Sequence, residues 1–166
     1  MKILLAIDDE LFGSTIVDFV CRHSWPAETV IRVLHIQGWT PPEGELLKSR
    51  TLMEYLETQY QSASQLVSQL ADRLRAALPD VDVQTEIMEG QPARRIIATA
   101  TAWGADLLIV GSHARNELSR FFMGSVSLAV LSNAPCSVMV VRLPERTAEA
   151  EPESIAESVV SGAGRN

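Results

Sequence analysis

Apolar residues gather in short runs that lack polar alternation: Lys2-Ile-Leu-Leu-Ala-Ile7, Thr29 to Ile36, Leu107 to Val110 and Val138 to Val141. Runs of this kind suit strands of a parallel sheet that is covered on both faces. A fifth segment has a different pattern. Val81, Val83, Thr85 and Ile87 alternate with Asp82, Gln84 and Glu86, which marks a strand with one exposed face and places it at a sheet edge.

The stretches between these runs carry helical spacing. Ile16, Phe19, Val20 and His23 share one stripe of a helix that starts at Ser14 and ends before Trp25-Pro26. Leu56, Tyr60, Ala63, Val67, Leu70, Leu74 and Ala77 alternate spacings of four and three, so a long amphipathic helix is expected up to Leu78-Pro79. Gly90-Gln-Pro92 opens a helix bearing Ile96, Ile97, Ala100 and Trp103, and Gly104 closes it. From Ser125, Val126, Ala129 and Val130 fall on one face until Asn133-Ala-Pro135 supplies the stop.

Strands that alternate with helices predict a single α/β domain built on a doubly wound parallel sheet, each crossover being right-handed. Gln37 to Lys48, with Pro41-Pro42-Glu-Gly44, is a long irregular connection: a lid over a cleft, or a mobile loop. Beyond Arg142 the sequence turns to Ala, Glu, Ser and Gly. A domain over residues 1–143 and a disordered acidic tail over 144–166 are therefore expected, with Ser154 to Val160 able to form a transient helix.

Chemistry is best placed in the loop between Leu107–Val110 and the helix that follows. Gly111 lets the chain leave the strand sharply, and Gly124-Ser125 opens a helix whose first amides lack intrahelical partners. Those amides, the helix dipole and the hydroxyls of Ser125 and Ser127 favour a phosphate, although a strand-ending Gly and a helix-starting Ser also serve as plain punctuation. Asp8-Asp9-Glu10 ends the first strand. These carboxylates can cap the next helix, bind a metal or contact a sugar hydroxyl, and capping is the default. His35, within the second strand, reads as a hydrogen-bonded structural residue, and His23 as a helix-end residue facing solvent in part. Arg94 and Arg95 sit in the first turn of their helix, where cations are unfavourable; they serve an anion or partner, or are simply solvated.

Composition narrows the classes. A chain of 166 residues suits one domain that buries roughly two thirds of its unfolded surface, so its core needs no metal or disulfide. The formal charge of -7, with no basic stripe, argues against a general nucleic-acid binder. Cys21 and Cys136 lie in apolar contexts and read as buried thiols in a reducing compartment. The first apolar run stops at Asp8, too short for a signal peptide or membrane span, so a cytoplasmic protein is expected.

At this point the residues resemble a known family. Gly111-Ser-His-Ala114, nine residues, Gly124-Ser125-Val126-Ser127, then Ala134-Pro-Cys136 and Val138-Met-Val-Val-Arg142 are similar to the signature of universal stress proteins: Gly, two residues, Gly, nine residues, Gly, Ser or Thr. The middle glycine is replaced by Ala114, which is strained if the site needs positive φ and tolerated if it needs only room. The resemblance covers residues 1–142 and implies the adenine nucleotide alpha hydrolase-like fold, a five-stranded parallel sheet of order 3-2-1-4-5 with strands one and four adjacent at the switch point.

It also implies a site and partners. ATP, with Mg²⁺ left open, would be held by Gly111, Ser112, Ala114, Gly124, Ser125, Val126 and Ser127 at the phosphates, by Asp8 at the ribose or base, and by Ala6, Ile36 and Val110 around the adenine. Arg115 and Arg120 could add charge. Relatives dimerise through the last strand, here Ser137 to Val141, whose apolar residues need cover at an edge. The expected function is an adenine-nucleotide-binding homodimer acting as a stress regulator or switch. The alternative is a nucleotide-free interaction module of the same fold, in which Ala114 narrows the loop and Glu10 and Glu117 repel phosphates. An enzyme, either a slow ATP hydrolase or a hydrolase using Ser112 and His113, is the weakest reading. Adjacent residues rarely present a nucleophile and base to each other, and neither a Gly-x-Ser-x-Gly elbow nor a Walker lysine is present.

Overall fold

A computed structural model of the chain describes residues 1–38, 49–112 and 123–142. In chain order they form β1 (Lys2–Ile7), α1 (Glu10–Cys21), β2 (Val30–Gln37), α2 (Ser49–Ala77), β3 (Asp82–Glu89), α3 (Pro92–Trp103), β4 (Leu107–Gly111), α4 (Ser125–Asn133) and β5 (Ser137–Val141). The strands make one sheet of order β3-β2-β1-β4-β5, parallel throughout. The expected order is therefore observed, and β3 with its one-sided alternation is an edge. The expected acidic tail, within 143–166, residues 39–48 of the expected irregular connection, and residues 113–122, which include Ala114, Arg115, Glu117 and Arg120, lie outside the described residues.

Two apolar layers sandwich the sheet, as unbroken apolar strands require. On one face Ile3, Leu5, Ile7, Ile31, Val33 and Ile109 pack against Ile16, Val17 and Val20 of α1 and Val67, Leu70 and Leu74 of α2. On the other, Leu4, Leu34, Ile36, Leu108 and Val110 meet Ile96 and Ala100 of α3 and Val130 of α4. Leu107 to Val110 is buried along its whole length. β5 is only half-buried between Val138 and Val140 because it forms the opposite edge.

Two helices depart from the sequence expectation. α1 starts at Glu10, not Ser14: Asp9 Oδ1 accepts the amide of Phe12 at 2.9 Å, so the cap stands four residues earlier than the apolar stripe suggests. α2 reaches back to Ser49, and of its expected stripe Tyr60 is 55% exposed and Ala77 is exposed, whereas Ala71 is buried. A 29-residue helix is roughly 43 Å long, far longer than the eight-residue strand β2, so its first turns overrun the sheet. Beyond Ala63 the 3.6-residue turn drifts away from a 3.5-residue repeat.

Candidate functional site

The carboxyl ends of β1 and β4 lie side by side, Ala6 opposite Val110, while β2 flanks β1 on its other side. Crossovers leave β1 and β4 in opposite directions, and a crevice opens above them, as it must at such a switch point. It is a cleft of about 270 Å³. Ala6, Leu34, Ile36, Ile96 and Val110 make its inner wall, and Asp8, Phe12, Gly111, Gly124, Ser125, Val126 and Ser127 its mouth, with Ile7 and Pro92 completing the lining. All site residues expected from the sequence line this cleft except Ser112, which is absent from the lining, and Ala114, which lies outside the described residues. Ile7, Phe12, Leu34, Pro92 and Ile96 were not expected.

The inner wall is apolar because alternate residues of each strand face one layer. Ala6, Leu34, Ile36 and Val110 all belong to the layer under α3 and α4, at its upper end. The mouth is polar for separate local reasons. Asp9 is engaged at the α1 cap, whereas Asp8 is exposed at the rim. His35 Nδ1 lies 3.0 Å from Ile7 O and donates to it, fixing the last turn of backbone before Asp8; this is the structural role expected for that histidine.

Across the mouth, Gly124 caps α4 without any side-chain hydrogen bond, and the first helical bond runs from Leu128 N to Gly124 O at 2.9 Å. The amides of Ser125, Val126 and Ser127 therefore precede the intrahelical ladder and stand at the positive end of the helix. Ser125 is exposed. Ser127 is only 3% exposed, and its hydroxyl donates to Gly111 O at 2.6 Å. The peptide after Gly111 is anchored on the far side, where Ser112 N donates to Val141 O at 2.9 Å.

Arg95 of α3 donates through Nε to Glu89 O at 2.8 Å, and both Arg94 and Arg95 are exposed. His23 is exposed at the end of α1, with Nδ1 2.7 Å from Phe19 O. Cys21 and Cys136 are partly buried thiols with no disulfide, and burial raises the pKa of each. Among the described residues, no group of three or more His, Cys, Asp or Glu is arranged to hold a metal ion. No helix among them is long and apolar enough to cross a membrane.

An apolar slot ending in a helix N-terminus, set at the switch point of a doubly wound sheet, defines a class: α/β proteins with a pocket suited to a flat apolar group carrying an anion. The chain belongs to the universal stress protein family, whose model matches residues 1–142. It is 34% identical over 95 residues to a universal stress protein of Methanocaldococcus jannaschii, covering 57% of this chain and 53% of that protein. A putative universal stress protein of Staphylococcus haemolyticus is 35% identical over 107 residues, 64% of this chain and 58% of the relative. The chain thus spans between half and three fifths of these curated relatives.

Solved structures share the fold. The universal stress protein UspA from Lactobacillus plantarum superposes with a TM-score of 0.67 at 24% identity, covering 86% of this chain and 97% of that one. A family protein from Arabidopsis thaliana, solved with AMP bound, gives 0.64 at 15% identity over 92% and 97%.

Proposed function

We propose that this chain is a cytoplasmic adenine-nucleotide-binding homodimer that serves as a stress-response regulator or switch. The observation that carries the reading is the cleft itself: a narrow apolar slot whose mouth meets the uncapped N-terminus of α4. Adenine is flat and largely apolar on its faces, and Ala6, Ile36 and Val110, joined by Leu34 and Ile96, offer it a dry wall. The amides at Gly124, Ser125 and Val126 suit a phosphate, and Asp8 on the opposite rim suits ribose hydroxyls. Solved relatives of this fold hold AMP, cAMP and dAMP, which supports the same ligand class here. ATP is the member of that class implied by the Gly-Ser signature.

The dimer reading rests on the β5 edge. Val138, Met139 and Val140 are half-buried there, and Leu128 and Leu131 of the neighbouring α4 are 54% and 47% exposed. A second copy laid along β5 would cover both.

Calorimetric titration of the chain with adenosine, AMP and ATP, repeated on Gly124→Val, tests the ligand claim. Gly124 has φ -58 and ψ 150, an extended conformation that any residue adopts, so its backbone accepts valine, and the variant is expected to keep the fold while its side chain obstructs the mouth. Loss of binding in the variant supports the assignment, and unchanged affinity moves the phosphate elsewhere.

A further inference from the structure

Ser127 stands in the cleft lining, two residues into the signature helix, yet its hydroxyl hydrogen is already given to the carbonyl of Gly111 at 2.6 Å. We propose that Ser127 is a positioning residue, a strut that fixes the α4 N-terminus relative to the end of β4, and that it does not bind the ligand's phosphate. The proposal rests on the nucleotide-binding reading above. Three features carry it.

The bond joins two points far apart along the chain. Gly111 is the last residue of β4 and Ser127 lies sixteen positions later, in the first turn of α4. Both residues border the cleft, so the bond sets how far the helix amides stand from the apolar wall on the other side. Second, the hydroxyl is committed. It is 3% exposed, and a serine has a single O–H to donate, so giving it to a phosphate would strand the carbonyl of Gly111.

Third, Gly111 is gripped from the opposite face as well. The Phe12 ring packs against it so closely that a Cβ on Gly111 would come within 2.6 Å of Cδ1. Ser112 N in turn is bound to Val141 O. The acceptor of Ser127 is thus a fixed point, and a hydrogen bond to a fixed point transmits position. Ser125, exposed at the same helix start, is left as the hydroxyl able to reach an anion.

Binding of adenosine and AMP to the full chain separates a strut from a phosphate ligand. For a strut, Ser127→Ala shifts the helix that both ligands meet and weakens both by the same factor, about tenfold. Ser127→Thr, which keeps the hydroxyl, restores affinity for both. A loss for AMP with adenosine unchanged would make Ser127 a phosphate ligand and overturn the proposal, as would unchanged binding of both. Val83→Ala, a core substitution far from the cleft, controls for general loosening and leaves affinity unchanged.

Hydrogen exchange without ligand supplies the second arm. In Ser127→Ala the amides of Leu128 and Ala129 exchange faster, while those of β1 do not change. Faster exchange in a chain that binds neither ligand would refute the nucleotide reading and keep the strut. Unchanged exchange refutes the strut whatever the ligand does.

Discussion

Phe12 occupies the space that a side chain on Gly111 would need: a Cβ built there stands 2.6 Å from Cδ1 of the ring, 3.1 Å from Cγ and 3.3 Å from Phe12 Cβ. Gly111 is not among the residues with positive φ, so the requirement is room and not backbone freedom. Gly111→Ala should cost about 1–3 kcal/mol by forcing the ring aside. Phe12→Leu in that background should recover part of the loss, and a double-mutant cycle by urea unfolding would measure the coupling. Equal stability of Gly111→Ala and the parent would refute this packing.

This pair also shows where the sequence stops being legible. Gly111 was visible as the glycine that ends an apolar run, but its partner was not, because the apolar stripe of α1 pointed to a start at Ser14 and left Phe12 in a loop. The cap at Asp9 is a backbone-to-side-chain bond that periodicity does not report. Leu34 carried a usable signal. It lies two residues before Ile36 on one strand and so shares its face. Ile96 lies one turn after Pro92, and both reach the cleft from α3. By contrast, the buried parallel strands were legible in their unbroken apolar runs, while their order, and with it the meeting of Asp8, Gly111 and Gly124, was implied by the resemblance to the universal stress protein signature. The direction of the Ser127 hydroxyl is a tertiary fact that spacing cannot contain.

Gly104 ends α3 at φ 68 and ψ 52, with nothing within 4 Å of an added Cβ. Here the requirement is backbone conformation alone. Gly104→Ala should destabilise by about 1 kcal/mol and Gly104→Asn by less, because asparagine tolerates the left-handed region. Thermal melts of the two variants would check the ranking, and an alanine variant as stable as the parent would contradict the cap geometry.

Asp9 holds the first turn of α1 through the amide of Phe12. Asp9→Ala should cost about 1 kcal/mol, and Asp9→Asn, which keeps the acceptor, only a fraction of that. Because the capped turn carries Phe12 to the cleft, the alanine variant should also weaken adenosine binding; chemical denaturation beside titration would report both.

The thiols of Cys21 and Cys136 have pKa values raised above 9.0 by burial; nearby Arg73 partly offsets the effect at Cys21, and Asp106 adds to it at Cys136. Less thiolate is then present at pH 7 than for an ordinary cysteine, so alkylation of the native chain should be slower than that of the unfolded chain. The linkage has a definite sign. Since the folded state keeps its thiol protons longer, stability should fall as pH rises from the unfolded cysteine range through the raised values. Native thiols that react as fast as unfolded ones would contradict this.

The central claim is that the cleft between Ala6, Ile36, Val110 and the start of α4 holds an adenine nucleotide. The most direct measurement is the nucleotide content of the freshly purified protein, released by denaturation and identified by mass, with adenosine, AMP and ATP titrated into the stripped chain. An adenine nucleotide recovered near one per chain, or saturable rebinding at one site, is the predicted result. A chain that carries no adenine compound and rebinds none of the three would contradict the account, and the fold would then stand as a protein-interaction module.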